Sequence, residues 1–182
     1  MSETVRALIV YETMFGNTER IARAIRDGLR QYLPAETVPV NRAPSVVPGD
    51  VGLLIVGGPT HAFSMSRPST RQEAWKQGDV VFPIEVGIRE WLAVLEPPTG
   101  RQSDLLRVAT FDTRIAKVRR LPGSAARSAA RLLRRMGLRP LSTSESFFVN
   151  ETTGPISDVE IERAQSWGDE LGRLLTRTAK VA

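Results

Sequence analysis

The chain has 182 residues, 41% of them hydrophobic and 25% charged, an ordinary globular composition that provides for one domain with a sizeable core, residues 1–182. It has no cysteine and a single histidine, His61, which excludes a disulfide framework, a thiolate metal site, a catalytic cysteine and a zinc site built from His and Cys. The net charge of +5 is concentrated in one stretch: Arg114, Lys117, Arg119, Arg120, Arg127, Arg131, Arg134, Arg135 and Arg139 follow one another with no acid between them, leaving 16 basic against 20 acidic residues elsewhere.

Residues 4–11 form a nearly continuous apolar run of strand length, suited to a parallel strand covered on both faces. No basic region or signal-peptide core precedes it, and no apolar run is long enough to cross a bilayer, so a cytoplasmic protein is expected. Asn17–Tyr32 shows helical spacing, with Ile21, Ala24, Ile25, Gly28, Leu29 and Tyr32 on one side. Glu36–Val40 reads as a second strand, and Pro44, Pro48 and Gly49 leave room for only a short second helix. Val51–Val56 is another buried-strand run, ended by Gly57-Gly58-Pro59. Thr60–Val86 is irregular, with one helical stretch near Pro68–Lys76; a segment this long without regular structure usually serves function or moves. Helices are expected at Val86–Leu95, Gly123–Met136 and Ser157–Arg177, and strands at Leu105–Phe111 and Leu141–Val149. Ser157 followed by Glu160 has the spacing of a capping box.

Alternating strands and helices define an α/β fold, a doubly wound five-stranded parallel sheet of order 2-1-3-4-5. Ligands of such sheets sit beyond the carboxyl ends of the strands, where the strand order reverses. Three loops should line that crevice. In the first, Glu12–Thr18, Gly16 permits a tight turn, Thr13, Asn17 and Thr18 offer hydrogen-bonding groups, and the following helix points free N–H groups at the same place. This suits a monophosphate; it also suits a plain strand-to-helix turn capped by Asn17 or Thr18. Neither Gly-Lys-Ser/Thr nor Gly-x-Gly-x-x-Gly is present.

The first loop resembles the FMN-phosphate loop of the flavodoxins, Ser/Thr-x-Thr-Gly-Asn-Thr, with Thr13, Gly16, Asn17 and Thr18 matching and Phe15 standing where a Thr is usual. The resemblance extends over essentially the whole chain and implies a flavodoxin-like fold with FMN as cofactor. It implies that Thr13, Met14, Phe15, Gly16, Asn17 and Thr18 hold the phosphate. The second loop, with Pro59, Thr60, His61 and Phe63, would then cover one face of the isoalloxazine ring, His61 taking the place of the family's stacking aromatic. A loop histidine bonded to backbone is an equally good reading of His61. The third loop, with Phe111, Asp112, Thr113 and Arg114, would meet the pyrimidine edge. Asp112 also reads simply as a turn residue. The family's Gly-Asp-x-x-Tyr is missing there, which leaves one ring face open to a substrate or a second subunit.

Electron-carrier flavodoxins generally present acid around the flavin edge, and the basic stretch reverses that sign on one side. Arg127, Arg131, Arg134 and Arg135 fall near one stripe of an amphipathic helix, a pattern that fits a solvated face and also an acidic redox partner or anionic substrate. A cation at Arg114 would stabilise a reduced, anionic flavin. No acid–base or nucleophile constellation is visible. The expected function is electron transfer through FMN. The alternatives are an FMN-dependent oxidoreductase, of the NAD(P)H:quinone reductase or protoporphyrinogen oxidase type acting on a small quinone-like acceptor, and a non-catalytic module; no aromatic platform supports nucleic-acid binding.

Overall fold

The computed structural model describes residues 5–78, 80–81 and 85–179. In chain order the elements are β1 (Arg6–Tyr11), α1 (Asn17–Leu29), β2 (Ala35–Pro39), β3 (Val51–His61), β4 (Ser64–Met65), α2 (Pro68–Gln77), α3 (Ile88–Val94), α4 (Arg101–Leu105), β5 (Arg107–Ile115), α5 (Ala125–Arg135), β6 (Arg139–Pro140), β7 (Glu145–Val149) and α6 (Asp158–Ala179). Single 3-10 turns occupy Val40–Arg42 and Ala116–Val118. The irregular stretch expected at Thr60–Val86 holds β4 and α2; within it, residues 79 and 82–84 lie outside the described residues.

The sheet order is β2-β1-β3-β5, with the fifth position shared by β6 and β7. Both pair parallel to β5, β6 at Arg107 and Val108 and β7 from Phe111 to Ile115. This is the expected doubly wound order, with the last strand interrupted over residues 141–144. β4 adds a short antiparallel hairpin to the end of β3.

The central strands alternate between two cores, as the period of a strand requires. Ala7, Ile9 and Tyr11 of β1, with Leu53 and Ile55 of β3 and Ala109 and Phe111 of β5, face α1 and α6. Leu8 and Val10, with Leu54, Val56 and Val108, face α3 and α5. In the first core Phe111, Phe147 and Trp167 meet edge to face at centroid separations of 6.2–6.3 Å.

Two strands run further than the sequence suggests. Gly57-Gly58-Pro59 does not end β3, which continues to His61, and β5 continues past Phe111 to Ile115. Gly57 pairs with Phe111 in register, and a Cβ there would lie 2.1 Å from the Phe111 ring. The glycine makes room for an aromatic ring on the neighbouring strand and marks no turn. Asp112, read as a turn residue, is likewise a strand residue, paired with Gly58.

Candidate functional site

A cleft of about 440 Å³, open to solvent, lies beyond the carboxyl ends of β1, β3 and β5, where the strand order reverses. Its walls include Thr13, Met14, Phe15, Asn17 and Thr18, then Pro59, Thr60 and His61, then Thr113 and Arg114. Ten of the fourteen residues singled out in the sequence therefore meet in one place.

The first wall is built at the entrance to α1. Gly16, at φ 86°, stands at the N-cap with no side-chain cap, so neither Asn17 nor Thr18 caps the helix. The Gly16 N–H donates to Thr13 Oγ1 at 3.0 Å, closing the turn. The first intrahelical bond runs from the Arg20 N–H to the Gly16 carbonyl, and among the described residues the amides of Asn17, Thr18 and Glu19 meet no acceptor. Asn17 is engaged elsewhere: its Oδ1 accepts from the Ile156 N–H at 3.0 Å and fastens the segment after β7. The Thr18 and Thr113 hydroxyls, 2.8 Å apart, tie α1 to β5 at the cleft.

The second wall ends in a strained hairpin. Ala62 and Phe63 both adopt left-handed backbone, at φ 46° and 65°. His61 lines the cleft, and the Thr70 backbone close by acts to raise its pKa. Burial, followed by the nearby Arg71 cation, holds its pKa below the ordinary histidine value.

Four residues expected in the site stand apart from the lining. Gly16 shapes the turn from beneath and borders an adjoining open groove. Phe63 projects from the hairpin tip, 48% exposed, and covers nothing in the cleft. The Phe111 side chain is corrected to a core residue, because odd-numbered positions of β5 up to it face α1 and α6. Asp112 is fully buried: its Oδ2 accepts from Thr60 Oγ1 at 2.9 Å and from the Ala126 N–H at 3.1 Å, bracing the start of α5.

Arg114 is only 5% exposed. Its Nη2 donates to the carbonyls of Val118 and Leu121 at 2.8 and 3.2 Å, while its Nε has no partner. The guanidinium thus braces the segment after β5 from within, while the residue contributes to the cleft wall.

Sequence reasoning missed Ile115, Val149 and Thr152 on the wall. The carboxyl end of the last strand should have pointed to the latter two, since it opens on the same crevice. It also missed a buried network under the first loop. Glu12 accepts from the Ser66 hydroxyl and, at 2.8 Å, from the Ile88 N–H. Arg71, with no exposure at all, donates to Ser66 Oγ at 2.9 Å and lies 3.1 Å from Glu90 Oε2. Burial pushes the Glu12 carboxyl above the usual range, against the lowering effects of Ser66, Ile88 and Arg71. No periodic pattern announces a polar cluster drawn from four separate segments.

No family model matches the sequence, and no curated protein matches it. Solved structures do resemble it in fold. Oxidised flavodoxin 2 from Bacillus cereus superposes with a TM-score of 0.63 at 16% identity, covering 93% of this chain and 99% of that one. A flavodoxin from the domain Archaea gives 0.62 at 16% identity, over 94% and 99%. The flavodoxin WrbA-like protein from Agrobacterium tumefaciens gives 0.58 at 13% identity, over 96% and 99%. The chain has the flavodoxin-like fold. Among the described residues no helix is long and apolar enough to cross a membrane, and no cluster of His, Asp and Glu is built to hold a metal ion.

Proposed function

We propose that the cleft binds FMN and that the protein acts in electron transfer. The observation that carries this reading is the meeting, on one cleft at the point where the strand order reverses, of the free amides at the start of α1 with Thr13, Thr18, Thr60 and Thr113. Thr13, Asn17 and Thr18, with the backbone of Met14, Phe15 and Gly16, would hold the phosphate by hydroxyls, amides and the positive end of α1, without a lysine. Pro59, Thr60, His61, Thr113 and Arg114 would hold the ring. FMN, when bound, supplies one- and two-electron chemistry that no side chain here can supply. The protein's part is to fix the cofactor, set its potential and limit access. Arg114 would favour negative charge on a bound group, and His61, kept neutral at physiological pH, would present an uncharged flat ring.

The test is an absorbance spectrum of the purified protein with mass analysis of the released ligand. Flavin bands and the mass of FMN are expected; absence of flavin bands after incubation with excess FMN would refute the reading. Oxidation of NAD(P)H coupled to a quinone acceptor would move the holoprotein to the reductase class. One-electron exchange with a redox protein in its absence supports the carrier.

A further inference from the structure

The basic stretch and the strained hairpin come together at one rim of the cleft. By bonding the carbonyls of Val118 and Leu121, the buried Arg114 side chain fixes the turn that carries Arg119 and Arg120 between them. Those two arginines, and Arg127 in the first turn of α5, are exposed and make no ion pair among the described residues. No acid within residues 113–144 is available to neutralise them locally.

The same turn packs under the hairpin. Gly123 has φ 89°, and a Cβ there would lie 2.4 Å from the Phe63 carbonyl oxygen, so residues 121–124 and the hairpin tip form a continuous surface. On it stand two solvent-facing apolar side chains, Phe63 and Leu121, 48% and 45% exposed. The left-handed backbone that presents Phe63 costs on the order of 1 kcal/mol or more, a cost that glycine or asparagine would largely remove. Folding alone gives no reason for an exposed aromatic ring on such a backbone.

An apolar centre ringed by unpaired cations is the anatomy of a protein contact. We propose that this rim docks a protein with an acidic contact face, Phe63 and Leu121 filling the centre and Arg119, Arg120 and Arg127 meeting its carboxylates. The rest of the chain, with 16 basic and 20 acidic residues, repels an extended polyanion but tolerates a local acidic patch, which favours a protein over nucleic acid. That the partner exchanges electrons rests on the FMN reading; the docking itself does not.

The experiment titrates the full-length protein with a small acidic [2Fe–2S] ferredoxin as probe, with and without added FMN, following backbone amide shifts at low and high salt. Shifts should cluster at residues 62–64 and 119–127, and binding should weaken about tenfold as salt rises from about 50 to 300 mM. The double variant R119E/R120E should bind at least about tenfold more weakly and lose most of the salt dependence. Phe63→Asn, which suits the left-handed backbone, should weaken binding at both salt concentrations and leave the slope intact. R101E/R177E, the same charge change at exposed positions away from this rim, should have little effect. Equal losses in the two charge-reversed variants overturn the proposal, as does failure of the ferredoxin to bind at low salt. Duplex DNA shifting the same residues more strongly than the ferredoxin overturns it too. Docking of the ferredoxin by a protein that takes up no FMN would sustain the surface and refute the cofactor.

Discussion

Replacing Arg71 with Met removes a cation from the buried cluster beneath the first loop while keeping an unbranched stem of similar reach. Arg71 is wholly buried, 2.9 Å from Ser66 Oγ and 3.1 Å from Glu90 Oε2, with Nη2 3.4 Å from the Glu85 carbonyl. Breaking a buried pair by removing one partner costs about 3–5 kcal/mol. The lower end applies here, because the Glu90 side chain is 34% exposed and can turn to water, and Glu12 keeps two donors, Ser66 and Ile88. A loss of about 3 kcal/mol in a chain of this size lowers Tm by about 9 °C. The loss should also depend on pH. Glu12 has its folded pKa raised by burial, so the stability belonging to its protonated form is present at low pH and is lost as pH rises through the folded value. Without Arg71 that value climbs further, and the Tm deficit should widen as pH rises from the acid side towards neutrality and beyond. The same substitution removes a repelling charge from His61, whose titration midpoint should move up towards its ordinary value. Thermal melts across this pH range and an NMR titration of His61 read both effects. A Tm within about 2 °C of the parent at pH 7, together with an unmoved His61 midpoint, would refute the coupling between the cluster and the cleft.

Four further outcomes are expected. Gly57→Ala drives a methyl group into the Phe111 ring, at 2.1 Å, and should cost about 3 kcal/mol in urea unfolding; a neutral result would mean that β3 and β5 can separate there without penalty. Thr18→Val leaves the Thr113 hydroxyl without its 2.8 Å partner and should cost about 1 kcal/mol of stability, with FMN affinity falling about tenfold by fluorescence titration. His61 has a folded pKa below its unfolded value, so its contribution to stability is present above about pH 6.5 and is lost as pH falls; His61→Gln should flatten that part of the pH–stability profile. Arg114→Met should lower the flavin midpoint potential in a spectroelectrochemical titration. It should also speed trypsin cleavage at Arg119 and Arg120, since the carbonyls on either side lose their common donor.

What could be read from the chain, and what could not, divides along sequence contiguity. β1 is legible because its whole signal is local: Ala7, Ile9 and Tyr11 go to one core, Leu8 and Val10 to the other, and five successive residues carry the pattern. The first wall is legible for the same reason, since Thr13 to Thr18 is one continuous stretch with glycine at the turn. Gly57 is the opposite case. Read along the chain, Gly57-Gly58-Pro59 punctuates a strand; read across the sheet, Gly57 is the space left for Phe111, fifty-four positions on. Asp112 fails similarly, because its carboxylate serves the amide of Ala126 and the hydroxyl of Thr60, neither of them a neighbour in sequence. Arg114 sharpens the point. As a cation beside an expected flavin loop it invites a direct role with an anion, yet one of its nitrogens is already committed to the two carbonyls that bracket Arg119 and Arg120. The exposed charges beside the cleft belong to Arg119 and Arg120, which this buried side chain holds in place. One buried arginine thus joins the cleft wall to the basic rim, through a contact that no local motif encodes.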